Sequence, residues 1–200
     1  MKRHTIFFLS IAALSLLLTV AAENTETVTV TDAYGFMSVF ESADEESMGK
    51  NVVLANDIDF SGINNFVPFG VKSNGKCTPY RGKLQGNGYA LKGLTIDQSG
   101  NTLFPHAGLF CGLDGATIEN VVFDKSCKMT GSDSSALAVT VTGSVTLLNV
   151  KSQSTVSGTG SVGGLFAHIE SPTGSSVVFD SSVVEGSVSN TGRNIGGFVG

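Results

Sequence analysis

Two hundred residues with 41% apolar content can bury one sizeable core, yet 25 glycines, no tryptophan and only 14% charged residues are poor material for a helical domain. Serine, threonine and valine crowd the second half of the chain, and the expectation is an all-β fold. The formal charge is −5 and becomes −7 without Lys2 and Arg3, with no basic run remaining, which argues against nucleic acid and against anionic membrane surfaces as partners.

The chain opens on Met1-Lys2-Arg3-His4, followed by an apolar run over residues 6–20 and then Ala21-Ala22. A basic start, an apolar stretch and small residues before Glu23 make a secretory leader over 1–22, cleaved after Ala22. The competing reading, an uncleaved anchor, needs about 20 apolar residues and the run is shorter. Residues 25–31 then alternate as a first strand, and Asp32 caps a short helix in which Phe36, Val39 and Phe40 recur at helical spacing. The acids Glu41, Asp44, Glu45 and Glu46 behind it lack the glycine turn of a calcium loop and read as a solvated face.

Residues 51–60 return to strand, with Asp57 and Asp59 two apart and so on one face. They suit either a carboxylate pair for acid-base or metal chemistry, or a polar edge that closes the turn after Ala55; the second reading is the one adopted. A loop over 61–79 completes an N-terminal cap spanning 23–79. From residue 80 onward the chain is expected to form repeats, opening on Tyr80-Arg81-Gly82-Lys83-Leu84 and a tight Gly86-Asn87-Gly88 turn.

A small-residue and leucine core then recurs at Gly108-Leu109-Phe110, Ala136-Leu137-Ala138, Gly164-Leu165-Phe166 and Gly197-Phe198-Val199, at spacings of 28, 28 and 33 residues. A second apolar block follows each of the first three, over 117–123, 146–150 and 176–179, with Asn120 and Asn149 in matching places. Polar blocks at 155–158 and 187–190 complete the unit. A period this short, with about three strands and no helix between them, disfavours a propeller blade and favours a right-handed parallel β-helix. The chain stops at Gly200 inside a repeat, and the expectation is the N-terminal piece of a longer product.

Cys77, Cys111 and Cys127 are an odd number for an oxidising compartment. Cys111 and Cys127 lie near equivalent strand ends and could bridge adjacent coils, leaving Cys77 over. Three scattered cysteines with His4, His106 and His168 make no zinc pattern, and the mature chain carries no N-glycosylation sequon.

These features resemble the GLUG-repeat family of secreted β-helix proteins. The resemblance lies in Gly163-Gly164-Leu165-Phe166 and Gly196-Gly197-Phe198-Val199-Gly200, more loosely in Ala107-Gly108-Leu109-Phe110, and in the order of the flanking pieces at 54–59, 68–70 and 82–88. The unit at Ala136-Leu137-Ala138 has lost its glycines, and Gln85 stands where the family usually carries an acid. Membership implies adhesion, surface display or a spacer, with no defined catalytic site.

The leading expectation is therefore a secreted or cell-surface, non-enzymatic scaffold, adhesin-like, with an extracellular protein or glycan as partner and membrane attachment only through an anchor outside this chain. No catalytic, cofactor-binding or metal residue is assigned, and no cofactor is expected. One alternative is a β-helix polysaccharide lyase or hydrolase. Its acids would come from Asp114, Glu119, Asp124, Asp133, Glu170, Asp180 and Glu185, with Asp124 and Asp180 stacked on one face and Arg193 assisting. A spacer for a downstream catalytic domain is another. Ice or mineral binding would need a threonine ladder, for which Thr140-Val141-Thr142 is the one clear start. His106 and His168 read as turn or rim residues.

Overall fold

The computed structural model describes residues 26–200; the leader assigned to 1–22 lies outside the described residues. Those residues wind into a parallel β-helix with one short α-helix near its start. Successive passes of the chain stack on one another, and four parallel sheets run along the stack.

The first sheet takes, in order, Thr27–Val30, Asn51–Leu54, Lys83–Gln85, Thr117–Glu119, Val145–Leu148 and Val177–Asp180. The second takes Ile58–Asp59, Ala90–Lys92, Val122–Phe123, Lys151–Ser152 and Val183–Val184. The third is built from Thr95–Asp97, Lys128–Gly131, Thr155–Gly158 and Ser187–Asn190, and the fourth from Phe110–Leu113, Ala138–Val141 and Phe166–Ile169. A short pair, Ser161–Gly163 with Asn194–Gly196, sits between the third and fourth in the last two coils. Strand pairing thus begins inside the stretch assigned to the cap, since Thr27–Val30, Asn51–Leu54 and Ile58–Asp59 already belong to these sheets.

The 28-residue spacing is the coil itself. Leu109 N–H donates to the Ala136 carbonyl at 3.1 Å, Leu137 to Leu165 at 3.1 Å, and Leu165 to Phe198 at 3.0 Å. The same register stacks Val52, Leu84, Ile118, Leu147 and Phe179 in the first sheet. Ile96, Met129, Val156 and Val188 stack in the third. All but the last member of each row are buried, and a fully buried side chain of this size stabilises a fold by about 1.5–3 kcal/mol. In the second sheet the inward row reads Ile58, Leu91, Phe123, Ser152, Val184. The buried Ser152 is tolerated because its hydroxyl pairs with that of Ser154 at 2.8 Å.

The short helix, Ala33–Val39, forms where the sequence expects it: the Asp32 carboxylate accepts the Gly35 N–H at 2.8 Å, and Ala33, Phe36 and Val39 face inward. Phe36 and the following Phe40 join Phe60, Phe69, Tyr80 and Phe110 in an aromatic plug. Tyr80 and Phe110 stack with centroids 4.6 Å apart, and the buried Tyr80 hydroxyl donates to the Lys50 carbonyl at 3.0 Å.

The corner between the first and second sheets explains the matched asparagines. Asn120, Asn149 and Ser181 occupy equivalent positions, each with φ of 52°, and Asn149 Nδ2 donates to Asn120 Oδ1 at 2.9 Å. Asparagine adopts this left-handed conformation at lower cost than most residues and fills the corner with a ladder of side-chain hydrogen bonds. Gly86 holds the same place one coil earlier, where a Cβ would sit 2.7 Å from the Val121 side chain. Ser181 breaks the ladder. Ser181→Asn should therefore raise stability by about 0.5–1 kcal/mol, read as a higher urea midpoint at unchanged slope. A midpoint that falls would contradict this account of the corner.

Candidate functional site

The outward side of the fourth sheet carries a groove. Cys111, Val139 and Ala167 form a small apolar cluster there with Phe104, separate from the main core that holds Phe110, Ala138 and Phe166. The next residue of each strand, Gly112, Thr140 and His168, stands in register as a row across three coils. That register leaves no threonine ladder on this face, since Thr140 is flanked by glycine and histidine.

Two loops wall the groove. One presents Phe104, Pro105 and His106, and its bend is set by Asn101 Oδ1, which accepts the N–H groups of Leu103 at 2.9 Å and Phe104 at 3.1 Å. Its base is anchored by Gln98, whose buried side chain donates to the Phe66 carbonyl at 2.9 Å. The other loop brings Cys77 and Pro79 against the sheet, fastened by a disulfide between Cys77 and Cys111 with a Cα–Cα distance of 5.8 Å. The pairing left open by the sequence is thus Cys77 with Cys111, and not the possible bridge between Cys111 and Cys127. Cys127 is buried in the main core, on the other side of the coil wall, where its thiol donates to the Leu91 carbonyl at 3.1 Å. Burial pushes that thiol up to about 11, so it is inert at neutral pH.

The space between the loops is a cleft of about 400 Å³ floored by Gly112 and Thr140, with His106, Asp133, His168 and Glu170 around it. A second depression of about 520 Å³ shares Asp133 and His168 with the first and continues to Thr159, Arg193 and Asn194. Together they make one groove that crosses the coils along the stacking direction.

Asp133 ties three coils together at its centre. Its Oδ1 accepts the Ser161 N–H at 2.7 Å, and its Oδ2 lies 2.9 Å from His106 Nδ1 and 3.4 Å from His168 Nε2. Burial holds the His106 pKa below the usual histidine value, against the opposing pull of Asp133. His106 Nδ1 accepts the Asp133 backbone N–H at 3.3 Å, so the neutral ring at pH 7 carries its proton on Nε2, which is left as a donor. Its edge meets the Phe104 ring at a centroid distance of 5.1 Å. Among the described residues, no three His, Cys, Asp or Glu side chains are arranged to hold a metal ion.

The remaining candidate residues are dispersed. Asp57 accepts the Ala90 N–H at 2.8 Å and pairs with Lys92 Nζ at 2.6 Å; this hydrogen bond to Lys92 holds its pKa below the usual carboxylate range. Asp59 accepts the Ser61 N–H at 2.8 Å. Asp59 therefore closes a local turn, whereas Asp57 reaches across to the next coil, which supplies both its backbone donor and its basic partner. Asp44 Oδ1 likewise accepts the Ser47 N–H at 2.8 Å, while Glu45 and Asp114 both bind Arg81. Glu119 pairs with Lys83 at 2.8 Å and Glu185 with Lys151 at 2.8 Å.

Asp124 and Asp180 do not stack. Asp180 ends a strand of the first sheet, in register with Leu148, whereas Asp124 follows a strand of the second and accepts the Ser126 N–H at 2.9 Å. What sequence reading missed is the alignment of His106, Asp133 and Ser161. The bridges Ala107 to Ser134 and Ser134 to Val162 put the preceding residues side by side in consecutive coils. The 27- and 28-residue spacings of those three residues were the available signal.

No family model matches the chain. A stretch of 92 residues, 46% of this chain, is 38% identical to Halomucin of Haloquadratum walsbyi, of whose length it spans 1%. The crystal structure of a candidate immunoglobulin A1 protease from Bacteroides ovatus is similar over 87% of this chain and 52% of its own, with a TM-score of 0.67 and 17% identity. At that identity the likeness is one of fold. The chain thus spans about half of that solved structure and a small fraction of the Halomucin chain.

Proposed function

We propose that the chain is a secreted or cell-surface repeat scaffold, adhesin-like, which holds an extracellular protein or glycan ligand without transforming it. The reading extends the resemblance to GLUG-repeat surface proteins, and the match to a segment of Halomucin is in keeping with an extracellular setting. The observation that carries it is the fate of the acids. Asp57, Asp59, Asp114, Glu119, Asp124 and Glu185 are each committed to a turn or an ion pair. Asp133 spends both oxygens on neighbouring coils. Glycoside hydrolysis needs two carboxyl groups facing one bond across about 5–10 Å, one of them free to hold a proton. The groove offers Glu170 and a carboxylate already in use.

The test is an array of glycans and extracellular-matrix proteins probed with residues 23–200, with a cleavage assay on the same panel in the presence and absence of calcium. Binding without turnover is expected. Turnover of any bound polysaccharide would overturn the reading.

A further inference from the structure

We infer that the groove on the fourth sheet is a binding site for an uncharged, hydroxyl-rich glycan chain laid across the coils. The inference rests on the scaffold reading above and names the ligand class for it. The groove's orientation sets the first constraint: it crosses Gly112, Thr140 and His168, one residue per coil, and neighbouring coils are about 4.8 Å apart. With Arg193 one coil further on, the site offers a linear series of polar groups at a repeat close to that of a sugar chain.

The second constraint is charge. Glu170 and Arg193, on adjacent coils, have no ion-pair partner among the described residues, and His106 is held neutral by burial. Acceptors and donors are therefore interleaved: Glu170 accepts, His106 Nε2, Arg193 and Asn194 donate, and the Thr140 hydroxyl does either. A ligand whose hydroxyls both donate and accept satisfies such a lining. A polyanion would meet Asp133 and Glu170, in a chain whose net charge is already negative.

The third constraint excludes an extended peptide. The floor is the face of a sheet, and the central strand Ala138–Val141 is paired on both sides, so no free row of backbone groups is presented for strand addition.

The test uses residues 23–200 and isothermal titration with neutral hexasaccharides of glucose, mannose, galactose and N-acetylglucosamine, beside a hexauronate. We expect at least one neutral hexasaccharide to bind and the hexauronate to bind more weakly or not at all. Glu170→Gln and Arg193→Ala should each weaken that binding about tenfold, with melting temperatures unchanged, while Lys125→Ala on a different sheet corner leaves affinity as it was. Stronger binding of the hexauronate overturns the inference. So does neutral-glycan binding that neither groove variant affects, or no glycan binding at all. A matrix protein captured where every glycan fails overturns the ligand class but leaves the scaffold reading standing, whereas cleavage of a bound glycan overturns the scaffold reading itself.

Discussion

Phe110→Ala should lower the unfolding free energy by about 3–5 kcal/mol, the cost of emptying a fully buried aromatic site. Phe110 is wholly inaccessible, stacks on Tyr80 at 4.6 Å and presents an edge contact to Phe40 at 5.6 Å. Its backbone lies between Phe69 and Ala138, so one side chain joins the first helix, the loop before Tyr80 and the fourth sheet. Truncation leaves a void that rings held by several coils cannot fill by collapse. In a chain of this size the melting temperature should fall on the order of 10 °C. Because repeat arrays can lose their cooperativity, denaturation should be followed by two probes, tyrosine fluorescence for the plug and far-ultraviolet dichroism for the later coils. A loss below about 1 kcal/mol would mean that the plug does not organise the N-terminal end.

Replacing Cys77 and Cys111 together by serine should cost about 2–4 kcal/mol, because the bond closes a loop with a sequence separation of 34 that the unfolded chain must otherwise order. Limited proteolysis should then cut within residues 61–79, a stretch fastened to the fourth sheet by that disulfide and by short-range bonds such as Thr78 N–H to the Gly70 carbonyl at 2.9 Å. Thiol titration checks the pairing independently. The native protein should expose no reactive thiol, and one per chain should appear on denaturation, from Cys127. Peptide mapping that linked Cys111 to Cys127 would contradict the structure.

The architecture was legible in the sequence wherever a pattern repeated in coil register. Leu109, Leu137 and Leu165 stand one above another, and the matched Asn120 and Asn149 meet through their side chains, because a stacked coil turns sequence period directly into contact. Local likeness without register misled. Val122-Phe123-Asp124 and Val178-Phe179-Asp180 share a triplet but lie in different sheets, since Phe123 pairs with Ser152 and Phe179 with Leu147. The disulfide was hidden for a related reason: which side of the coil wall a cysteine faces depends on strand phase, and Cys111 points out where Cys127 points in. The groove was harder still. Its walls come from the irregular loops around Cys77 and Phe104, whose course is set by side-chain bonds such as Gln98 to the Phe66 carbonyl rather than by any period.

The most direct test of a scaffold that binds without chemistry is the mass of what it releases. Residues 23–200 would be immobilised, loaded with the best ligand from the array, held overnight at pH 7 with and without calcium, and eluted for mass spectrometry. The account predicts a ligand recovered intact, at the mass at which it was loaded. Recovery of shortened or unsaturated fragments, lost when Glu170 or Asp133 is replaced, would contradict it and make the groove an active site.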